Sequence, residues 1–465
     1  MTGHPPIGAS RYARRVRVPV PLAVEIAAAK AVAGLSRLAG AGGGTTVPGK
    51  LLWKLDPGAI DLLAARLPEG SAVISATNGK TTAAAMTADI LRARFRLAHN
   101  RSGANLLSGV ASTLLAAGDA ELGLLEVDEG ALPEVVQRVR PRALCLGNLF
   151  RDQLDRYGEL ELVAERWRET VSTLPPEAAL VVNADDPQLS LFARATTFGI
   201  DDPGVSRKSL QHASDSKHCV RCGTPYEYAS VYIGHLGDYR CPNCGHARPP
   251  LDIAARSIQL HGLDRVTFEL VLPEGARRVS LGLAGLYNVY NALAAAALAR
   301  ALGAGADEIV AGLEGFAAAF GRFERIDVNG KTVLLLLVKN PAGANEVVRT
   351  LVEGGAPSLA VIALNDAIAD GRDVSWIWDV DFEPLLDGLD TIVATGDRAA
   401  ELALRCKYAG VEDDALVVEP DLERAVEIGL AKTPEGGELV VLPTYTAMLA
   451  LRRIVAARPY WEDAA

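Results

Sequence analysis

The sequence has little of several features that would mark its class. No uncharged apolar run in its 465 residues reaches the length that a bilayer-spanning helix needs. Basic residues are outnumbered, 47 against 57 acidic ones, and the net charge of −10 argues against a dedicated nucleic-acid binder. Six cysteines in so long a chain do not make a disulfide framework, and this usage favours a reducing cytosol over secretion. What is present is a chain that is 49% apolar, with enough core for two or three domains.

The N-terminal residues combine basic side chains with an interrupted apolar stretch. Four arginines between positions 11 and 17 precede Pro19–Gly40, which three charged residues interrupt. At helical spacing, Leu22, Ile26 and Ala29 fall on one face. We interpret residues 1–47 as an amphipathic extension that packs on the protein itself, with contact to a membrane surface as the alternative.

Beyond residue 71, β-rich runs alternate with helix-like segments, which indicates a parallel α/β fold. Strands are predicted at Ser71–Ala76, Glu121–Val127, Ala143–Asn148 and Leu180–Asn183, and helices at Thr82–Arg94 and Tyr287–Leu302. A second series of strands follows Gly321, at Val333–Val338, Leu359–Leu364, Thr391–Thr395 and Glu438–Leu442. The predicted domains are therefore 48–320 and 321–465. An insertion is expected at about 205–250, where the sequence becomes polar and holds four cysteines.

The segment between the first predicted strand and helix has the composition of a phosphate-binding loop. It reads Thr77-Asn78-Gly79-Lys80-Thr81-Thr82. Main-chain N–H groups at a helix start, with the helix dipole behind them, bind anions. Lys80 is expected to reach the outer phosphates, the Thr81 hydroxyl to ligate Mg²⁺, and Gly79 to let the main chain approach the phosphates. A full Walker motif has a glycine five residues before Gly79, and Ile74 stands there instead.

Four cysteines inside the predicted insertion have the spacing of a zinc ribbon. They are Cys219, Cys222, Cys241 and Cys244. Two residues separate the members of each pair and 18 separate the pairs, so two tight turns are expected to aim four thiolates at one Zn²⁺. His218 and His246 lie alongside as alternative ligands. Four protein ligands leave no position for a substrate water, so a zinc ion here is expected to be structural.

The loop T-N-G-K-T-T resembles the ATP loop of the Mur ligase superfamily, which includes the folylpolyglutamate synthases. Further segments resemble motifs of that family in the right order over about 250 residues. They are Leu125–Glu129, Asn148–Asp155, Asn183–Asp186, Tyr287–Asn291 and Gly321–Glu324. The resemblance implies a central ATPase domain and a Rossmann-like C-terminal α/β domain. It also implies that Asn288 holds adenine, that Arg322 reaches the phosphates, and that Thr81 and Glu126 hold Mg²⁺.

Two positions depart from the family pattern. Ala76 replaces a glycine, which adds one methyl group near the loop. Gln153 replaces a histidine that ligates metal in the family. An amide oxygen is able to bind Mg²⁺ but is not the family's ligand, so the second metal site stays open.

Within the superfamily, the cysteine insertion and three further segments resemble the ligase subunits of lipid II isoglutaminyl synthase. These segments are Asn100–Asn105, Leu337–Gly343 and Asp370–Asp379. The resemblance implies that ATP phosphorylates the α-carboxyl of D-glutamate in the lipid II stem peptide, and that ammonia then displaces phosphate to give D-isoglutamine. It implies that Asn100, Arg101 and Asn105 contact the substrate. The enzyme is then cytoplasmic, with lipid II reached at the inner membrane face.

No residue pattern in the chain makes a convincing glutaminase. Cys145 and Cys406 lie in apolar segments, and we interpret them as core residues. The resemblance implies a heterodimer with a GatD-like glutaminase, to which the ligase subunit lends an aspartate for the partner's catalytic histidine. Asp373 is our first candidate for that aspartate. The predicted catalytic residues are therefore Lys80, in the phosphate loop, and Asp373. Asp370 and Asp379 are the alternatives.

Two other functions stay open at this point. One is another Mur-type ligase, such as a folylpolyglutamate synthase, although the ribbon and the Asp370–Asp379 run disfavour it. The other is a non-catalytic zinc-ribbon protein that binds ATP as a switch. ATP turnover that depends on a carboxylate substrate distinguishes an enzyme from the switch.

Overall fold

The computed structural model describes residues 46–56, 58–100, 104–152, 159–192, 194–211, 214–317, 324–355 and 357–456. Residues 1–45 of the predicted extension, together with Arg101, Gln153 and Arg322, lie outside these ranges. None of the helices within the ranges combines the length and the apolar character needed to cross a bilayer.

A nine-stranded mixed sheet forms the first part of the described chain. Its strands are β1 Ser71–Ser75, β2 Leu97–His99, β3 Leu122–Glu126, β4 Ala143–Leu146, β5 Ala179–Asn183, β6 Ala195–Ile200, β9 Ile253–His261, β10 Arg265–Leu272 and β11 Gly275–Leu281. Two further strands, β7 Glu227–Ile233 and β8 Leu236–Arg240, form a separate hairpin. Across the sheet the order is β11-β10-β9-β6-β5-β4-β1-β3-β2. Pairing is parallel from β2 to β9, and β10 and β11 extend the edge in antiparallel fashion.

Helices cover both faces of this sheet. They are α1 Val47–Leu55, α2 Ala59–Ala64, α3 Lys80–Leu91, α4 Leu107–Ala116, α5 Leu132–Val139, α6 Leu160–Ser172, α7 Leu286–Ala301 and α8 Ala306–Glu314. In β1, Ala72 and Ile74 belong to the core formed with α3, α7 and α8, whereas Val73 belongs to the core formed with α1, α2, α4, α5 and α6. Successive residues of a strand point to opposite faces, so a strand buried on both faces is apolar throughout.

The cysteine-bearing insertion leaves the sheet between two neighbouring strands, β6 and β9. It contains a short 3-10 turn, Pro203–Val205, and a separate two-stranded hairpin of β7 and β8. Its own small core consists of Cys219, Tyr226, Tyr239 and Cys241. At the tip of the hairpin, Ile233 and Leu236 pack instead into the core of the large sheet. The tip therefore joins the insertion to the rest of the molecule.

A six-stranded sheet forms the second part. Its strands are β12 Glu324–Val328, β13 Lys331–Leu335, β14 Leu359–Ala363, β15 Thr391–Thr395, β16 Leu416–Val418 and β17 Glu438–Pro443, in the order β12-β13-β17-β14-β15-β16. Only the β12–β13 pairing is antiparallel among the pairings of this sheet. The helices of this part are α9 Pro341–Glu353, α10 Glu383–Leu386, α11 Ala399–Tyr408, α12 Leu422–Lys432 and α13 Tyr445–Ala456, with a 3-10 turn at Ser375–Asp379.

The structure confirms the predicted α/β fold with a four-cysteine insertion and a second α/β sheet. The helix predicted at Thr82–Arg94 is α3, which begins at Lys80 because Gly79 caps it in the left-handed conformation, with φ of 84°. The antiparallel strands β10 and β11 were not among the predicted strands. The domain boundary at 320/321 stays a prediction, because residues 318–323 lie outside the described chain.

Candidate active site

The predicted phosphate loop connects the end of β1 to the start of α3. Gly79 lies so close to α7 that an added Cβ would stand 1.9 Å from Asn291 Oδ1. Its positive φ also favours glycine over any other residue. The glycine is thus required twice, by the turn into α3 and by the approach of α7.

Asn148, which follows the neighbouring strand β4, holds the loop from the side. Its Oδ1 accepts from Asn78 N at 2.9 Å, and its Nδ2 donates to Asn78 O at 3.0 Å. Thr77 N donates to the Asn148 main-chain oxygen at 2.9 Å. One amide side chain thus satisfies both main-chain groups of Asn78, and the end of β4 sets the shape of the loop.

Lys80 is a buried cation within a group of carboxylates. It is 4% exposed, and its Nζ lies 3.1 Å from Glu129 Oε2. Burial lowers the pKa of an ammonium group, but nearby carboxylates, Glu129 foremost, raise the pKa of Lys80 above its usual value. Burial acts on Glu129 in the opposite sense, yet Lys80 and then Lys339 hold the pKa of Glu129 below its usual value. Both groups therefore stay ionised near neutral pH.

Thr81 and Glu126 place two oxygen ligands beside the loop. Thr81 Oγ1 donates to Glu126 Oε1 at 2.7 Å. Glu126 is fully buried, and its Oε2 has no hydrogen-bond partner among the described residues. A buried carboxylate oxygen without a partner calls for a cation or a donor, and hard oxygen ligands suit Mg²⁺. These two residues therefore fit the magnesium site that the sequence predicts.

Asn100 and Asn105, predicted to contact substrate, both contact Glu126 in this structure. Asn100 Oδ1 accepts from Glu126 N at 2.8 Å, and Asn100 Nδ2 donates to Glu126 O at 2.7 Å. Asn105 Nδ2 lies 3.4 Å from Glu126 Oε1. Both asparagines thus position the carboxylate here, and their contact with substrate stays a prediction.

A pocket opens beside the phosphate loop, and four parts of the chain line it. The loop contributes Asn78, Gly79 and Thr82, and the hairpin tip contributes Ile233 and Leu236. Helix α7 and the residues before it contribute Leu283, Tyr287, Asn288 and Asn291. The segment after the second sheet's β13, together with α9, contributes Lys339, Gly343, Glu346 and Val347. Asn288, predicted to hold adenine, donates to Ala284 O at 2.7 Å and accepts from Asn291 Nδ2 at 3.0 Å. The predicted adenine residue thus lies in the same pocket as the predicted phosphate loop.

Residues from the second sheet contact the loop directly. Asn340 caps α9 by accepting from Gly343 N at 2.9 Å. Its amide also pairs with Asn78, through Asn78 Nδ2 to Asn340 Oδ1 at 3.2 Å and Asn340 Nδ2 to Asn78 Oδ1 at 3.0 Å. Next to it, Lys339 forms an ion pair with Asp152. The helix α9 and the phosphate loop are thereby held in one arrangement.

The segment Asn183–Asp186 ties the insertion to α7. Buried Asp185 accepts from Tyr290 OH at 2.7 Å and from Arg248 Nη1 at 3.1 Å. Burial raises the pKa of Asp185 to about 6, against the effect of Arg248. This carboxylate therefore joins the base of the insertion to the helix that lines the pocket.

The four cysteines of the insertion meet at one point. Their sulfur atoms all lie within 4.8 Å of one another, with two Sγ–Sγ distances of 3.5 Å, for Cys219–Cys244 and Cys222–Cys241. Zn–S bonds of about 2.3 Å place tetrahedral sulfurs about 3.8 Å apart, so the cluster is able to hold such an ion.

The histidines beside the cluster are placed differently from the cysteines. His246 Nδ1 is bonded to Tyr226 OH at 2.7 Å and its Nε2 to Ser190 Oγ at 2.9 Å. Both ring nitrogens are therefore engaged with hydroxyl groups. His246 supports the cluster in this structure, and the four thiols form the candidate ligand set.

The three candidate aspartates lie along a second pocket between the two sheets, near Arg151. Asp370 is 5% exposed and accepts from Thr446, through N at 2.8 Å and Oγ1 at 2.5 Å. Asp379 lies 3.3 Å from Arg151 Nη2. Asp373 is exposed, and its hydrogen bonds with Ser375 hold its pKa below the usual value. Only Asp373 of the three is both exposed and without an ion pair among the described residues.

Sequence reasoning missed the residues that hold the loop, Asn148, Asn340 and Glu129. A signal existed for Asn148, since a polar residue directly after a buried strand lies at the edge where parallel strands end. Asn340 and Glu129 stood inside segments recognised by resemblance, without a role. Of the predicted site residues, Arg101 and Arg322 lie outside the described chain.

Two protein families match this chain. Residues 74–248 match the Mur ligase middle domain, and residues 337–448 match the MurT ligase C-terminal family. The MurT subunit of lipid II isoglutaminyl synthase (glutamine-hydrolyzing) from Streptococcus pneumoniae strain R6 is 33% identical over 436 residues, 91% of this chain and 94% of that protein. The protein of the same name from Staphylococcus aureus strain N315 is 34% identical over 418 residues, 87% of this chain and 91% of that protein.

Solved structures share the fold at lower identity. A pseudomurein peptide ligase type C from Methanothermus fervidus superposes with a TM-score of 0.66 at 22% identity, covering 86% of this chain and 81% of that one. MurF from Acinetobacter baumannii superposes with a TM-score of 0.62 at 19% identity, covering 86% and 80%. The fold and the phosphate loop thus define a Mur ligase, a class of enzymes that uses ATP and Mg²⁺. Within that class, this chain belongs to the MurT family.

We expect the Asn148→Ala variant to bind ATP roughly 5- to 100-fold more weakly, since each of its two hydrogen bonds contributes about 0.5–1.5 kcal/mol. Calorimetric titration with ATP and Mg²⁺ measures the effect. The matched control is Asn345→Ala, which removes a buried asparagine bonded to Asp381 N away from the loop. Equal affinities of the two variants for ATP would show that Asn148 does not hold the loop.

Proposed function

We propose that this protein amidates the α-carboxyl of D-glutamate in the lipid II stem peptide to D-isoglutamine, at the inner face of the membrane. The ATP-binding loop carries the proposal, because a buried, charged Lys80 and the Thr81–Glu126 pair lie at one helix start. The names of the relatives at 33–34% identity support amidation over ligation of glutamate to folate.

The chemistry follows from the weakness of a carboxylate as an electrophile. A carboxylate oxygen attacks the γ-phosphorus of ATP, ADP leaves, and an acyl phosphate forms. Ammonia then attacks the acyl carbon, phosphate leaves, and the ammonium proton passes to solvent or phosphate. Phosphoryl transfer depends chiefly on positioning and on neutralising charge. Mg²⁺ bound by Thr81 and Glu126 would supply positive charge beside the phosphates.

Lys80 acts by exchanging its partner. Lys80 is the first residue of α3, and in this structure its ammonium group is paired with Glu129. The terminal phosphates of a nucleotide on the loop replace that carboxylate as its counter-ion. Because the charge of Lys80 is already buried and ionised, little reorganisation accompanies the exchange.

We infer that ammonia comes from another protein, because neither cysteine outside the four-cysteine cluster has the character of a nucleophile. Cys145 and Cys406 are buried, and burial raises the pKa of both thiols, that of Cys406 to about 11. The other four cysteines lie together in the cluster that we propose to hold a metal. This supports a separate glutaminase, GatD-like and joined with the chain in a heterodimer, as the source of ammonia.

Asp373 is the aspartate that we propose to orient the partner's catalytic histidine. Its exposure supports this role, while Asp370 is bonded to Thr446 and Asp379 is paired with Arg151. Trp378, 47% exposed, offers an aromatic surface nearby, and such residues are enriched at interfaces.

We further propose that the four cysteines hold a structural Zn²⁺. The chemistry of the donor set supports this, since four thiolates prefer zinc and leave no open position for catalysis. The metal then joins the two cysteine turns and steadies the hairpin of β7 and β8.

Replacing Lys80 with alanine is expected to reduce amidation at least 100-fold with either ammonia or glutamine as nitrogen source, since it removes a charge that neutralises the transferring phosphoryl group. Mass analysis of amidated lipid II measures the effect. Lys331→Ala, which removes a lysine bonded to Leu430 O in the second sheet, is the control and keeps wild-type activity. Retained amidation in Lys80→Ala would contradict the proposed chemistry.

Asp373→Asn is expected to impair the glutamine-dependent reaction at least tenfold and to leave the ammonia-dependent reaction unchanged, because the acyl phosphate forms on the ligase alone. The two rates are compared in the complex with its glutaminase. Asp390→Asn serves as control, since Asp390 directly precedes β15 and so lies at the amino ends of the parallel strands, whereas Asp373 follows the carboxyl end of β14. Equal loss of both reactions would refute the assignment of Asp373 to the partner's triad.

Removing zinc with a chelator is expected to weaken ATP binding as well as the fold of the insertion, because Ile233 and Leu236 of the hairpin tip line the nucleotide pocket. ATP affinity and near-ultraviolet dichroism of the tyrosines report the two effects. A Cys222→Ser variant should behave in the same way, and Cys406→Ala should keep its zinc. Unchanged ATP affinity after complete loss of zinc would separate the hairpin from the pocket.

A further inference from the structure

Glu346 on α9 presents an unsatisfied carboxylate oxygen in the nucleotide pocket. The side chain is 2% exposed, and its Oε1 accepts from Arg207 Nη2 at 2.7 Å. Its Oε2 is buried and has no hydrogen-bond partner among the described residues. Buried polar atoms without partners are rare in folded proteins and call for an explanation.

The surroundings of Glu346 point to a ligand. Ala342, Gly343, Glu346 and Val347 lie on one face of α9, and all four line the pocket. Burial raises the pKa of Glu346, and Arg207 and Arg349 only partly oppose that effect. The single ion pair therefore leaves the carboxylate incompletely compensated.

Arg207 holds the carboxylate through Oε1, and its own Nε is also buried without a hydrogen-bond partner among the described residues. Its main-chain N donates to Val231 O at 2.7 Å, which fixes it to the hairpin of the insertion. Nearby, Arg349 donates to Tyr232 O and Val205 O, both at 3.2 Å. Helix α9 is thus attached to the insertion through Glu346 and, one turn further on, through Arg349, so the position of the Glu346 carboxylate is set by the structure around it.

We propose that Glu346 Oε2 accepts a hydrogen bond from the nucleoside half of the bound nucleotide and thereby contributes to selection of ATP. This rests on the proposed ATP-dependent function. The phosphates of ATP carry no donor at neutral pH and repel a carboxylate, so the donor is an O–H of the ribose or the N–H of the adenine amino group.

The test compares four triphosphates in the zinc-loaded complex with Mg²⁺, by calorimetric titration. They are ATP, 2′-deoxy-ATP, 3′-deoxy-ATP and purine riboside triphosphate, which lacks the amino group. We expect the wild type to bind the analogue without the recognised donor about tenfold more weakly than ATP. The analogue that is weakened identifies whether the donor is on the ribose or on the base.

The Glu346→Gln variant supplies the second arm. Arg207 takes the amide oxygen of the new side chain, so an NH₂ group that is unable to accept faces the ligand. We expect about tenfold weaker ATP binding and loss of the discrimination seen in the wild type. Glu353→Gln, on the exposed side of the same helix and paired with Arg349, is the matched control and keeps both.

Each remaining outcome has a definite meaning. If the wild type binds all four triphosphates equally, the proposal for Glu346 is overturned, and this result needs no variant to fold. Equal weakening of all four by Glu346→Gln also overturns it, because a purely structural role acts on every nucleotide alike. If no triphosphate binds, the ATP-dependent function itself fails, and the inference fails with it.

Discussion

The buried charge of Lys80 is the constraint around which the site is arranged. An ammonium group that is removed from water needs a counter-ion close by, because its desolvation is otherwise too costly. Glu129 fills that need at 3.1 Å, and Glu126, Asp128 and Asp152 add to the negative field. In the proposed reaction, the terminal phosphate of ATP meets a cation whose desolvation has already occurred. This favours charge neutralisation in the transition state.

The remaining contacts keep the loop in the shape that this exchange requires. Asn148 supports it from the large sheet, and Asn340 pairs with Asn78 from the second sheet. The hairpin tip of the insertion closes the pocket with Ile233 and Leu236. Three parts of the chain that are far apart in sequence therefore surround the phosphate loop and the pocket beside it. For this reason we expect the insertion, which we propose to hold a structural metal, to affect nucleotide binding.

Much of the fold was predictable from local patterns. All eight strands predicted from the sequence are present, and each lies within a few residues of its predicted position. Short apolar runs that are bounded by turn residues are typical of strands buried on both faces, which is why these strands were predictable. The antiparallel strands β10 and β11 were not predicted, because exposed charged residues alternate with apolar ones in both. A short turn connects these two strands, and strands joined in this way pair in antiparallel fashion, whereas parallel neighbours need a longer connection.

The sequence alone determined the chemistry that is written in contiguous residues: a glycine and a lysine at a strand–helix junction, and two cysteine pairs at ribbon spacing. These motifs are local because a helix start or a tight turn brings its own atoms together. Only the tertiary structure decided that Asn148 holds the loop, that Asn340 joins it to the second sheet, and that Glu346 lines the pocket. Such roles depend on contacts between residues up to 262 positions apart in sequence. No short sequence pattern specifies which polar residues form those contacts.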